Sequence, residues 1–203
     1  IREYLVEKLK LKHIIIGYDH RFGKGREASV TDLKKYSSEF NFVVDEIDAQ
    51  EIEKIAISST KIRKSINEGD LKTTKTYLGR FFSLTGKVVK GDGLGKQINY
   101  PTANISIEED YKIIPKDGVY YIKTTIDDML FNGMMNIGHR PTIGSKEKSI
   151  EVNLFNFDRD IYDEIISIDV IEKIRDEKKF SSIGALKAKL AKDEEHCLKL
   201  INK

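Results

Sequence analysis

Three glycines at alternate positions, Gly91, Gly93 and Gly95, are followed by Lys96 and, after a short spacer, by Pro101-Thr102-Ala103-Asn104. Glycines so placed let the backbone approach a ligand closely and turn its N–H groups toward an anion such as phosphate. Lys96 stands where a positive charge could reach a polyphosphate. Thr102 and Asn104 offer a hydroxyl and a carboxamide oxygen, hard donors suited to Mg2+ or Mn2+, with waters and phosphate oxygens completing the shell. The spacings fit neither a Walker loop nor a dinucleotide-binding fingerprint. Glycines alone more often mark a flexible hairpin loop. The attached Pro-Thr-Ala-Asn reverses that balance.

Other residues could join such chemistry. Ser58-Ser59-Thr60-Lys61-Ile62-Arg63 sets hydroxyls at a helix start and a guanidinium one turn on, a combination able to receive a triphosphate. By itself Ser-Ser-Thr is more often an N-cap. Glu151 lies in the β-run Ile150-Glu151-Val152-Asn153-Leu154, where an isolated Glu most often faces solvent. Arg175 and Phe180 combine a guanidinium and an aromatic ring, suited to a flat ligand and a phosphate, although an Arg ahead of a C-terminal helix also fits a solvated position. His13, His20, His139 and His196 are scattered without metal-ligand spacing.

The elements that must position these groups change character near residue 80. Before it, helix and strand alternate. His13–Gly17 reads as a buried strand of a parallel sheet, residues 29–40 as a helix, residues 41–47 as a second strand, and residues 59–68 as a helix capped by Ser58 or Ser59. That is an α/β unit of the doubly wound kind. After it, residues 82–89, 118–125, 129–137, 149–157 and 165–174 are β-rich runs between Gly, Pro, Asp and Asn. Five or six such strands predict a small antiparallel barrel. Residues 182–201 predict a closing helix with Ile183, Leu186, Leu190, Cys197, Leu198 and Ile201 on its apolar face. At the other end, Ile1, Leu5, Val6 and Leu9 share one face of a helix that has no start signal. This predicts that upstream residues are missing.

Composition narrows the class. Of 203 residues, 39% are hydrophobic and 33% charged, and 35 basic residues nearly balance 33 acidic ones. A net charge of +2 gives no general reason to bind nucleic acid or an anionic membrane. No run approaches the roughly 18 apolar residues of a membrane span. The single Cys197 excludes an internal disulfide and a multi-cysteine zinc site, and fits a reducing cytoplasm.

The glycine loop with Pro101-Thr102-Ala103-Asn104 resembles the kinase signature of the bifunctional riboflavin kinase/FMN adenylyltransferases, the prokaryotic FAD synthetases. The resemblance continues through Asn136-Ile137-Gly138-His139-Arg140-Pro141-Thr142, Glu151-Val152-Asn153-Leu154, Asp160-Ile161-Tyr162 and Arg175-Asp176-Glu177-Lys178-Lys179-Phe180. Earlier in the chain, Gly17-Tyr18-Asp19-His20-Arg21-Phe22-Gly23 and Ser58-Ser59-Thr60-Lys61-Ile62-Arg63 resemble two adenylyltransferase motifs. The resemblance implies an α+β chain: residues 1–79 the partial second half of a Rossmann-like nucleotidyltransferase domain, and residues 80–203 a riboflavin kinase β-barrel with a C-terminal helix. It implies Glu151 as catalytic base, Gly91, Gly93, Gly95, Lys96, Thr102 and Asn104 as the ATP site, and Thr102 and Asn104 as ligands to Mg2+ or Mn2+. Arg175 and Phe180 would lie beside the flavin, and Asp19, Ser59, Thr60 and Arg63 would be an adenylyltransferase remnant.

Departures from the family pattern matter. The His-x-Gly-His-like segment that helps such adenylyltransferases hold ATP phosphates is absent, and His20 replaces the usual aromatic residue. The expected activity is therefore transfer of the ATP γ-phosphate to riboflavin, giving FMN, with the adenylyltransferase inactive in this chain. A bifunctional enzyme that also makes FAD is one alternative, and a non-catalytic flavin- or nucleotide-binding barrel is another. In the kinase loop Asn99 stands where Gly is common, a residue that tolerates a left-handed backbone. Asn153 stands where His is frequent, and Asp163 where a Tyr-Gly pair is usual. Half an open sheet leaves an edge and apolar surface, so self-association is left open.

Overall fold

The computed structural model describes residues 1–48, 51–52, 55–91, 93–139 and 148–201. Asp92 of the glycine loop, and Arg140, Pro141 and Thr142 of the Asn136–Thr142 motif, lie outside the described residues. The chain forms two compact units, Ile1–Ile57 and Ser58–Lys203.

In the first unit, β1 (His13–Gly17) pairs in parallel with β2 (Val43–Ile47), and α1 (Val30–Phe40) connects them. Parallel strands need such a crossover. The helix starts where the Asp32 carboxylate accepts from the Ser29 backbone N–H at 2.9 Å, and ends at Asn41 in the left-handed region. The β1 strand is covered on one face only: Ile14 and Ile16 pack toward Val30, Leu33 and Phe42, while Ile15 is 64% exposed. The first segment is a π-helical turn, Arg2–Lys8, rather than an α-helix. Its wider winding keeps Ile1 and Val6 on the core and turns Leu9 into solvent. A short antiparallel pair, β3 (Glu51–Ile52) and β4 (Ile55–Ala56), follows.

The second unit opens with α2 (Ser59–Glu68) and α3 (Leu71–Leu78). Ser58 caps α2 by accepting from the Lys61 N–H at 3.3 Å, and Asp70 caps α3 through the Thr73 N–H at 3.1 Å. The second helix, unforeseen from sequence, seats Leu71 in the barrel core. Both helices thus belong in space with the barrel, although the sequence pattern changes near residue 80.

The barrel strands are β5 (Phe82–Val89), β6 (Ala103–Ser106), β7 (Gly118–Ile126), β8 (Met129–His139), β9 (Lys148–Leu154) and β10 (Ile165–Arg175). They close in the order β10-β5-β6-β9-β8-β7, antiparallel throughout. Alternation along each strand sends one set of side chains inward. Leu84, Val88, Ile105, Tyr120, Ile122, Met135, Ile137, Ile150, Val152, Ile166, Ile168 and Val170 fill the interior. A four-residue helix, α4 (Leu94–Gln97), interrupts the glycine loop between β5 and β6.

The closing helix α5 (Ile183–Ile201) lies on β8 and β10. Its inner face differs from the expected one. Leu186, Leu190, Asp193, Cys197 and Leu200 turn inward to varying depth, whereas Ile183, Leu198 and Ile201 are exposed. Among the described residues no helix is long and apolar enough to cross a membrane.

Candidate functional site

The outward-facing side chains carry the site. Register pairs Asn104 of β6 with Glu151 of β9, Glu151 with Asn136 of β8, Asn136 with Val119 of β7, and Val119 with Arg175 of β10. Directly opposed residues on neighbouring strands share a face with Cβ atoms about 5 Å apart. Five strands therefore bring residues 104, 151, 136, 119 and 175 into one continuous outer row. The next outer row, Asn153–Met134–Tyr121–Glu172, provides the seat of α5. There Tyr121, Met134 and Cys197 are buried together.

A cavity of about 210 Å³ stands over the first row. Glu151, Asn136, Val119 and Arg175 form its floor. Gly95, Tyr100 and Thr102 wall one side, and Glu177, Phe180, Leu186 and Leu190 the other. Arg175 is 16% exposed, so it is not the solvated residue its position before the helix also allowed. Its Nε donates to Asp193 at 2.7 Å and its guanidinium lies 5.6 Å from the centre of the Phe180 ring. The sequence-predicted Glu151, Gly95, Thr102, Arg175 and Phe180 thus meet at one cavity.

A second cavity, about 440 Å³, opens on the other side of Thr102. Lys96, Pro101, Phe157, Arg159, Asp160 and Tyr162 line it, and Thr102 is common to both cavities. Lys96 therefore lines a different cavity from Glu151 and shares that space with Arg159.

The glycines have distinct reasons. At Gly91 a Cβ would collide with the Asn104 carboxamide, so the loop rests directly on that side chain. At Gly95 a Cβ would meet the Tyr100 carbonyl and crowd Thr102 Oγ1. Gly93 enters α4 with φ +71°, and Asn99 leaves it with φ +63°, the left-handed conformation expected for that position. Asn104 itself is 8% exposed and opens toward a groove with Lys90, Ser106, Lys148 and Ser149 rather than toward either cavity above.

Two anchors fix the end of this loop. Asn153 Nδ2 donates to the Pro101 carbonyl at 2.7 Å, and the Tyr100 hydroxyl donates to Glu194 of α5 at 3.0 Å. Burial, with the Glu194 carboxylate beside it, pushes the Tyr100 phenol up to about 12. At the far rim His139 Nδ1 lies 2.9 Å from Asp117, which Lys148 also approaches at 3.2 Å.

Sequence reasoning missed Asn136, Val119, Tyr100, Asn153 and Asp193 as parts of the site. Asn136 and Asn153 stand inside motifs named above without a role, and Tyr100 directly precedes Pro101. Val119 and Asp193 are signalled only by strand register or by a helix face.

The adenylyltransferase residues do not share a unit. Asp19 is exposed in the turn after β1, in the first unit. Ser59 and Thr60 are the first residues of α2, and Arg63 follows one turn on, all exposed and in the second unit.

The fold is an antiparallel six-stranded barrel closed by a C-terminal helix, with the candidate site on its outer wall. The riboflavin kinase family model matches residues 78–201, and the FAD synthetase family model matches residues 1–61. The chain belongs to the riboflavin kinase family. Among similar proteins, the bifunctional riboflavin kinase/FMN adenylyltransferase of Buchnera aphidicola (from Schizaphis graminum) is 40% identical over 100% of this chain and 65% of its own length. The protein of the same name from Listeria monocytogenes is 39% identical over 96% and 62%, and that of Escherichia coli K12 34% identical over 96% and 62%. The chain thus spans under two-thirds of these relatives. A solved Streptococcus pneumoniae structure, described as a macrolide-efflux protein, superposes with TM-score 0.80 at 37% identity, covering 89% of this chain and 59% of that one.

Proposed function

We propose that this chain is an ATP:riboflavin 5′-phosphotransferase acting in the cytoplasm. The observation that carries the reading is Thr102, the shared wall of two adjoining cavities, one holding Glu151 and the other Lys96. The cavity holding Glu151 has apolar and aromatic sides in Val119, Met134, Phe180, Leu186 and Leu190, suited to a flat flavin ring. The cavity holding Lys96 and Arg159 suits a nucleotide with its phosphates toward the glycine loop. Donor and acceptor would then meet at Thr102.

Phosphoryl transfer between them needs positioning and charge neutralisation, plus one group to take the hydroxyl proton. Glu151 accepts the proton of the ribityl 5′-hydroxyl. The freed oxygen forms its bond to the γ-phosphorus as the bond to the bridging oxygen of ADP breaks, giving FMN and ADP. Loop N–H groups and Lys96 hold the phosphates.

Thr102 just before β6 and Asn104 within it could offer a hydroxyl and a carboxamide oxygen, and Glu151 opposite Asn104 a carboxylate. These are hard donors of the kind Mg2+ or Mn2+ takes, once the Asn104 carboxamide turns from its groove toward Thr102. Gly91 leaves the Asn104 carboxamide room that any larger residue would fill. When bound, the ion would spread the negative charge of the transferring phosphoryl group.

Incubation of the chain with riboflavin, ATP and Mg2+, followed by chromatography of the flavins, tests the reading. FMN without FAD is expected. FAD as well would restore the bifunctional alternative, and unchanged riboflavin from folded protein would leave the binding-module alternative.

A further inference from the structure

Asp193 is a carboxylate on the inner face of α5 with no accessible surface. Its two oxygens meet two cations of different origin. Oδ2 accepts from Arg175 Nε at 2.7 Å, across from the last residue of β10. Oδ1 lies 2.8 Å from Lys189 Nζ, one turn earlier on its own helix. Burying a carboxylate costs several kcal/mol before pairing, and ion pairs so buried seldom add net stability over an apolar packing. Lys189 already supplies a counter-charge from within the helix. The bond to Arg175 adds something different: it is tertiary, directional, and made by the Nε edge of a planar group.

The rest of the guanidinium is equally constrained. Nη1 donates to the Asp176 carbonyl at 3.1 Å, and the group lies over Phe180 at 5.6 Å. Among the described residues Nη2 has no partner. Arg175 and Phe180 both line the cavity that contains Glu151, and so do Leu186 and Leu190 of the helix carrying Asp193. Glu151, Glu177 and Lys178 also line this cavity, so what Asp193 fixes is the orientation of the Arg175 guanidinium rather than the net charge of the wall.

Resting on the riboflavin kinase reading, we propose that Asp193 is a positioning residue for flavin recognition: it locks the Arg175 guanidinium into the cavity wall and thereby ties the docking of α5 to the shape of the flavin site. Asp193 touches no substrate and acts through Arg175.

The test is riboflavin binding by the whole chain, followed by quenching of flavin fluorescence, alongside the steady-state constants. Asp193→Asn keeps the shape of the side chain and removes its charge. It is expected to weaken riboflavin binding about tenfold, the loss of one charge-assisted hydrogen bond. The KM for ATP should stay within about twofold, because Lys96 and Arg159 line a different cavity. Arg175→Lys keeps the charge but cannot hold Asp193 and present a planar fork together, and should lose about the same factor. The double variant should lose about tenfold, not a hundredfold, since both changes break one arrangement.

Wild-type binding with both single variants unimpaired would overturn the proposal and leave the kinase reading standing. Losses that multiply in the double variant, or that appear equally in the ATP constant, would overturn it in favour of a general structural role. Should Asp193→Asn fail to fold by circular dichroism, Arg175→Lys decides alone: a tenfold loss supports the assignment, unimpaired binding overturns it. A wild-type chain that binds no riboflavin would sink the kinase reading, and the proposal with it.

Discussion

At the scale of single residues, the site depends on which way a strand position points. Glu151 alternates with the buried Ile150 and Val152, so it faces outward, yet α5 and the segment from Arg175 to Phe180 roof it over. An outward strand position has become a walled one, which is what a proton acceptor needs beside a phosphoryl transfer. Glu151→Gln should therefore lower kcat by a factor on the order of 100 to 10,000, the usual worth of a general base. Riboflavin affinity, measured by fluorescence quenching, should change by less than about threefold. A retained kcat would remove Glu151 from the chemistry. The residue could be picked out in the sequence because alternation placed it and family resemblance gave it a role. Its neighbour Asn136 could not, since strand register is a property of pairing and leaves no mark in composition.

At the scale of elements, turns and helix faces decide how accurately the wall is built. The β7–β8 hairpin closes through Asp127 and Asp128, with φ +48° and +61°, between paired Ile126 and Met129. A two-residue turn with both residues left-handed favours Gly at its second position. Asp127 also holds Arg159 at 2.7 Å, so only Asp128 is available for relief. Asp128→Gly should stabilise the barrel by about 0.5–1 kcal/mol, raising Tm by a few degrees in a thermal melt.

The helix α5 shows where sequence patterning misleads. Periodicity offered Cys197 and Leu198 equally and left Asp193, in the charged stretch Lys192-Asp193-Glu194-Glu195, off the apolar face. Packing against Tyr121 and Met134 chose Cys197, and a basic partner on β10 made room for Asp193. Burial, and then the carboxylates of Asp193 and Glu172, push the Cys197 thiol up to about 12. Because its folded value lies above the unfolded one, its contribution is complete below about pH 8.5 and is lost as pH climbs toward 12. Tyr100, Tyr120 and Tyr121, whose phenols are also raised, act in the same direction at higher pH. The urea midpoint should therefore fall steadily between about pH 9 and 11. At pH 9 iodoacetamide should modify native Cys197 far more slowly than the unfolded chain. Equal labelling rates would show that the thiol is not enclosed.

At the scale of the whole chain, the legible and illegible parts divide by range. Most strand segments of the barrel and the closing helix followed from local alternation and turn residues. The strand β6 was hidden because its four residues overlap the end of a glycine-loop motif. The helix α3 was hidden because its Leu-Lys-Thr-Thr-Lys-Thr-Tyr-Leu sequence carries little helix propensity, and an Asp70 cap with barrel contacts sustains it. The separation after Ile57 likewise comes from packing of α2 and α3 rather than from any composition change.

The outer row that runs through Asn104, Glu151, Asn136, Val119 and Arg175 takes one member from each of five strands. No hairpin, and no partly zipped sheet, can display it. Pairings as remote in sequence as Ile168 with Leu84 must form before the barrel closes, and such non-local closure is the slow part of folding a β-protein. Competence to quench flavin fluorescence should thus return only with the slowest kinetic phase after dilution from urea, later than the far-ultraviolet signal of the helices. Nascent or damaged chains would be silent rather than weakly active: ligand capture itself reports that the polypeptide has finished folding.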